Sequence, residues 1–266
     1  KNKNIVRDEK VKLYELEKDK FHDLFSIEDL LKINESTIMK DATHYIEHLM
    51  FSPCNQKFIF LHRFKINDGG IFSRLFEYNL ENKHLKILLD SGRISHFNFI
   101  DSNRLIFYGS IGNKITKLRK FKKFQKAFKF MLRIYKLIVK DNSNLSKKIT
   151  NDGYYYYEFS SNNFTKIKNF NLNSEDGHPT THKKLNMSFI TDNYADLDNN
   201  HKARLIFYSH ENNKYETLDV INSIKELDNS PLRCDLHPRI SYDGNYLSID
   251  AFGNNNRKII VYKIDQ

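Results

Sequence analysis

The sequence predicts an all-β chain, a β-propeller of four-stranded antiparallel blades into which one basic amphipathic helix is inserted. Three observations carry that expectation. First, four histidines recur in phase: His48, His96, His178 and His237 each stand nine or ten residues before the apolar centre of a strand, at Phe58, Leu105, Met187 and Tyr246. Second, each repeat reads as a strand, a turn rich in Asn, Asp, Ser or Gly, a second strand, and then an aromatic and aliphatic hairpin. Third, repeats of roughly 40 residues cannot bury their sheet faces alone and must stack on neighbours. A β-sandwich is the alternative, but it gives no reason for the histidines to fall in phase.

The elements follow in chain order. VKLYELEKDKF, within residues 8–40, reads as the end of an earlier blade, followed by a short helical or loop stretch around SIEDLLKI. The first full blade joins HLMFSPCNQKFIFLHRF to SRLFEYNLENKHLKIL, and the second joins HFNFIDSNRLIFYGS to GYYYYEFSSNNFTKI. HPTTHKKLNMSFITDNY with ARLIFYSHENNKYETL makes the third, and HPRISYDGNYLSIDAFG with RKIIVYKID the fourth. The chain therefore reads as one domain over 1–266, with four complete blades and part of another. An open arc of sheets would leave faces uncovered, so the expectation is an incomplete seven-bladed propeller, truncated at its N-terminus. Residues 112–150 interrupt the second blade as a helical basic insertion, with Leu118, Phe121, Phe124, Phe128 and Tyr135 at helical spacing.

The net charge of +10 is local, because Lys114 to Lys140 holds eleven Lys and Arg residues and no Asp or Glu. Without that segment the chain is near neutral, so nucleic acid is not an expected partner. Three readings of the insertion stay open: a rim helix with a solvated basic face, a surface for polyanions or anionic lipid, and a lid. Cys54 and Cys234 are too few for a disulfide framework, and the opening residues contain no apolar signal segment. The chain thus reads as a reduced, cytoplasmic protein. No P-loop, dinucleotide fingerprint, CxxC pair, HExxH or GxSxG occurs.

The order HLMFSP, LHRF, SRLF, SHFNF, DGHP and DLHP resembles the C-terminal two-thirds of the oligogalacturonate lyase family. The resemblance implies a seven-bladed propeller that cleaves uronate oligosaccharides by metal-assisted β-elimination. It implies metal ligands at His178 and His237, with Asp235 where the family has a further histidine and Leu232 where it has a glutamine. A carboxylate can replace an imidazole on Mn²⁺, the ion expected here, whereas leucine cannot ligate. Arg74 aligns with the arginine proposed as the family's base, and His62, His96 and Asp192 fall at polar positions facing its substrate channel. The run Arg233 to Arg239 looks closer to a branch found with surface-polysaccharide genes.

β-Elimination requires a neutralised carboxylate, a base for the C5 proton and a proton or Lewis acid for the leaving oxygen. The Asp235-x-His237 step places both side chains on one face of an extended segment. With His178 they form the candidate metal set; the alternative is that each blade-start histidine only bonds the neighbouring blade. Arg74, effectively always protonated, suits a carboxylate clamp better than a base. His96 and His62 are the alternative bases. His48, Arg63, Asp192, Arg233 and Arg239 are expected to line the site for an acidic oligosaccharide, although one or two of the arginines are expected to form ion pairs instead. Both a lyase and a non-catalytic glycan- or protein-binding propeller follow from this reading.

Overall fold

The computed structural model describes residues 8–67, 70–90, 93–112, 151–169, 172–174, 176–195, 201–224, 230, 232–253 and 256–264. The basic helical insertion expected over 112–150 lies, from residue 113 on, outside the described residues. Two compact units make up the chain: Lys1–Ile94 with Ser110–Asn151, and Ser95–Gly109 with Asp152–Gln266.

In the first unit, β1 (Lys10–Glu15) and β2 (Lys20–Ser26) form an antiparallel hairpin. It runs straight into α1 (Ile27–Lys32), which starts there because Ser26 and Asp29 close a reciprocal capping box. β3 (Thr43–Phe51), β4 (Lys57–Lys65), β5 (Ile71–Asn79) and β6 (Leu85–Leu89) pair in that order as a four-stranded antiparallel sheet. β4 and β5 are central and buried on both faces, so KFIFLHRFK shows a continuous apolar run rather than alternation. On one face Phe58, Phe60, Phe76 and Tyr78 pack under Phe25 and Leu30, and further along the same face Phe64 and Phe72 pack under Ile38 and Met39, with the His62–Arg74 pair between the two clusters. The β5–β6 turn forms because the Asn79 side chain accepts from the backbone N–H groups of Glu81 and Asn82.

The second unit holds three sheets. β7 (Ile94–Asp101), β8 (Arg104–Ser110), β9 (Asp152–Glu158) and β10 (Asn163–Lys166) form a four-stranded meander. β11 (Phe189–Asp192), β12 (Lys202–Ser209) and β13 (Lys214–Asn222) form the next, and β14 (Arg239–Ile240), β15 (Tyr246–Gly253) and β16 (Asn256–Lys263) the last. The tyrosine run of β9 supplies Tyr154 and Tyr156, which pack with Ile106 and Tyr108 against Phe189, Ile206 and Tyr208 of the adjacent sheet. Ala203 and Leu205 then pack against Leu236, Leu247 and Ile249 of the last. The outer strands β13 and β16 are largely exposed.

Four complete four-stranded blades were the expectation; among the described residues two sheets have four strands and two have three. Pro179 and Pro238 each follow a phased histidine and have no N–H to give a ladder, so the first strand of each three-stranded sheet shrinks; this removes a strand from the sheet of β11, whereas in the last sheet β14 still counts and no strand beyond β16 is found among the described residues. What remains is an isolated bridge between Thr180 and Ile190 in one sheet and the two-residue β14 in the other, preceded by the Asp250 N–H bond to the Leu236 carbonyl.

The high asparagine content also has a structural use. Of eleven non-glycine residues with positive φ among those described, six are asparagines: Asn34, Asn55, Asn151, Asn162, Asn186 and Asn213. Asparagine tolerates the left-handed conformation better than other chiral residues, and these positions close turns.

Candidate metal centre

The phased histidines all sit on, or lead into, the first strand of a sheet: His48 on β3, His96 on β7, His178 beside the Thr180 bridge and His237 just before β14. In the second unit three of them meet. The ring centroids of His96 and His178 lie 3.9 Å apart, and those of His178 and His237 also 3.9 Å. Backbone ties produce this meeting. Asn98 Nδ2 donates to the Pro179 carbonyl at 3.2 Å, and the Thr181 hydroxyl donates to the Phe99 carbonyl, aligning the His178 segment along β7.

Asp192, at the end of β11 and 1% exposed, joins the His178 and His237 segments. Its Oδ1 accepts from the His178 backbone N–H at 2.6 Å and its Oδ2 from the His237 backbone N–H at 3.0 Å. The same carboxylate accepts from His178 Nδ1, at 2.9 and 3.0 Å to its two oxygens. The environment of Asp192 is rigid: Thr191 and Asn193 on either side are buried, Tyr154 OH bonds Thr191 Oγ1 at 2.8 Å, and the Arg204 N–H donates to the Asn193 side chain. Gly177 makes the approach possible. A Cβ there would stand 1.8 Å from the Asp192 carbonyl oxygen, so the backbone of DGHP can lie against β11 only with glycine at that position.

These contacts fix the tautomers. A carboxylate accepts, so His178 Nδ1 carries the proton and its Nε2 keeps a lone pair. His237 Nδ1 lies 3.2 Å from the Asp235 carbonyl oxygen, which leaves its Nε2 lone pair likewise. One ligand atom from each of His178, Asp235 and His237 falls within 4.8 Å of the others, all three residues being half-buried. Two donors on one first-row ion at bonds of about 2.1 Å stand at most about 4.2 Å apart, so small side-chain rotations complete the set. Two imidazoles with their far nitrogens tied to a carboxylate or a carbonyl, plus one carboxylate, suit a divalent transition metal. The residues present fit the ion that the sequence resemblance implies. Burial, followed by the neighbouring His178, pushes the His237 imidazole below its usual range, which keeps it in the ligating neutral form. His237 also has φ of 42°, a conformation costly for a side chain of that size and maintained by the Asp192 bond to its N–H.

Around this set lie further functional groups. His96 Nε2 is 2.7 Å from Tyr194 OH, and the Arg233 guanidinium lies over the Tyr194 ring, 4.4 Å from its centroid. Arg233 Nε also donates to Asp235 Oδ1 at 2.7 Å, holding that carboxylate in place. Asp250 Oδ2 is 4.0 Å from His237 Nδ1. Tyr194 was not among the residues picked from sequence; the only signal for it is TDNY, polar residues closing a buried strand. Arg239 is exposed at the start of β14, and Leu232, at the position where the resembling family has a glutamine, is 61% exposed.

Several expected roles are corrected. Asp192 does not line a substrate surface; it is buried beneath the two candidate ligand histidines. Arg74 and His62, expected to meet substrate, are both 0% exposed in the first unit. They are register partners on the central strands β4 and β5, where no face is left for solvent. The Arg74 guanidinium donates to the Leu30 carbonyl at 3.2 Å and to the Ile33 carbonyl, binding the C-terminal end of α1, and lies 3.5 Å from His62 Nδ1. His62 Nε2 is 3.0 Å from His44 Nδ1, and His44 Nε2 is 2.8 Å from the Met39 carbonyl. With the carbonyl accepting at one end and the guanidinium donating at the other, both histidines are neutral and the chain of bonds has one direction. Arg63, also expected at the site, pairs with Glu47 at 2.5 Å and donates to the Ile94 carbonyl at 3.1 Å. His48 sits at a β3 bulge with φ of 54°, its Nε2 3.6 Å from Glu47.

No protein-family model and no curated protein sequence matches the chain. Solved structures do. TolB from Acinetobacter baumannii superposes with a TM-score of 0.52 at 11% identity, covering 95% of this chain and 46% of that one. A chain of the nidogen/laminin complex superposes with a TM-score of 0.50 at 7% identity, covering 96% of this chain and 71% of that one. The chain therefore spans about half the length of TolB. At such identities the likeness is one of fold alone, and that fold is the β-propeller.

Proposed function

We propose that this propeller holds a divalent metal ion on His178, Asp235 and His237 and uses it to bind and cleave uronate-containing oligosaccharides by β-elimination. The observation that carries the reading is the approach of those three ligand atoms to within 4.8 Å, with both histidine Nδ1 atoms engaged from behind. Mn²⁺ is the ion proposed, since a mixed oxygen and nitrogen set suits it. When bound, the ion would draw in the sugar carboxylate and make the neighbouring C–H acidic.

The chain's own residues do the rest. Arg233 adds positive charge beside the site and holds Asp235. His96, an imidazole adjoining His178, is the base for the C5 proton. Arg74 and His62 take no part, being buried in the other unit's core.

The supporting experiment is incubation of the protein with Mn²⁺ and uronate oligomers of pectic and capsular type, with absorbance of the unsaturated product as readout. Turnover lost in His178→Ala and His237→Ala supports the proposal; no product from any uronate overturns catalysis. A second reading, a non-catalytic glycan-binding propeller, is favoured by exposed Leu232 in place of a ligand and by the burial of Arg74. It predicts metal-dependent retention of acidic glycan without product.

A further inference from the structure

We infer that Tyr194 is the acid of this site, delivering the proton that the leaving sugar oxygen needs. The inference rests on the β-elimination reading and adds to it a residue that neither the repeats nor the histidine motifs point to. Tyr194 is the hydroxyl that directly meets the proposed base: its oxygen is 2.7 Å from His96 Nε2. Its ring stands edge-on to His178, with centroids 5.5 Å apart, so the phenol borders the metal set. Arg233 covers its face at 4.4 Å while gripping the ligand carboxylate of Asp235. One guanidinium thus ties the phenol to the metal ligands, a fixed arrangement suited to a group that must meet one oxygen of a bound sugar.

The step balances within the pair. As the phenol turns its hydrogen from His96 Nε2 to O4, the sugar C5–H bond breaks, its proton passes to the freed Nε2 lone pair and its electron pair becomes the C4–C5 double bond. The C4–O4 bond breaks with its pair on O4, and O4 takes the proton of Tyr194 OH. The imidazolium of His96 then returns a proton to the phenolate across their hydrogen bond. Both residues end as they began, and no external oxidant, reductant or co-reactant is consumed.

Tyr194→Phe deletes only the hydroxyl and keeps the ring beneath Arg233. It should lower kcat on uronate oligomers by about 10²- to 10⁴-fold with little change in KM. Calorimetric titration with Mn²⁺ and the circular dichroism spectrum should match the parent. A uronide bearing a 4-nitrophenoxy leaving group at C4 needs no proton on departure, and on it the variant should fall within about tenfold of the parent. Equal turnover by variant and parent on the oligomers would overturn the role of Tyr194 and leave the lyase reading standing. An equal loss on both substrates, or loss of Mn²⁺ binding, would make Tyr194 a structural residue. A parent that turns over neither substrate would remove the lyase reading itself, and this inference with it.

Discussion

Asp192 concentrates more of the site in one side chain than any candidate ligand does. It accepts from His178 Nδ1, from the His178 N–H and from the His237 N–H, so it sets one tautomer and the position of two segments 59 residues apart in sequence numbering. Removing such a partner behind a ligating histidine costs about 10- to 100-fold in metal affinity in comparable sites. Asp192→Asn should show that loss in a Mn²⁺ titration, while an unchanged affinity would mean that His178 needs no fixing. Gly177→Ala should be worse for folding, because the added carbon meets the Asp192 carbonyl at 1.8 Å; a thermal midpoint equal to the parent's would contradict the close approach. His62 gives a prediction in pH. Burial, then Arg74 and His44, lower its pKa to about 3, against about 6.5 for a free imidazole. The unfolded chain therefore binds a proton that the folded chain refuses. The stability it contributes is whole above pH 6.5 and drains at about 1.4 kcal/mol per pH unit as pH falls from there toward the folded value. Urea midpoints of His62→Gln between about pH 4 and 7 should show a slope shallower by about one proton.

Among the elements, sequence patterns revealed the strands and concealed their partners. The phased histidines, the polar turns and the tyrosine run of β9 are local signals with a period, so the strand order of each repeat could be read directly. The histidines of DGHP and DLHP were legible for the same reason, while the ligand set of His178, Asp235 and His237 was what the family resemblance implied. Arg74 and His62 misled because their roles came from the family resemblance, which carries no information on burial in this chain. Only the cross-strand register reveals that β4 and β5 are covered on both sides and that the two residues meet each other there. Asp192 and Tyr194 lay beyond reading because their roles come from contacts between sheets. The sheets stack through aromatic cores, and Phe189, wholly buried between Tyr154 and Tyr208, is one such contact. Phe189→Ala should cost about 3–5 kcal/mol in denaturant unfolding. Because β11 also carries Asp192, the same change should weaken Mn²⁺ binding; full retention of binding would show that the metal set does not depend on that core.

For the whole molecule, the propeller-type architecture explains how residues from three separate repeats meet. Each sheet contributes the start of its first strand, and histidines at positions 96, 178 and 237 come together without being neighbours in sequence. A ligand that binds only the folded arrangement stabilises it by mass action, by about 2.7 kcal/mol at a hundred times its dissociation constant. The His178, Asp235 and His237 cluster is proposed to hold a metal ion. Calorimetric titration of the metal-stripped protein with Mn²⁺, run beside a His178→Ala, His237→Ala double variant, tests it most directly. The parent should show one saturable site per chain, with a matching rise in thermal midpoint, and the double variant neither. Equal binding by both proteins, or none by the parent, would contradict it.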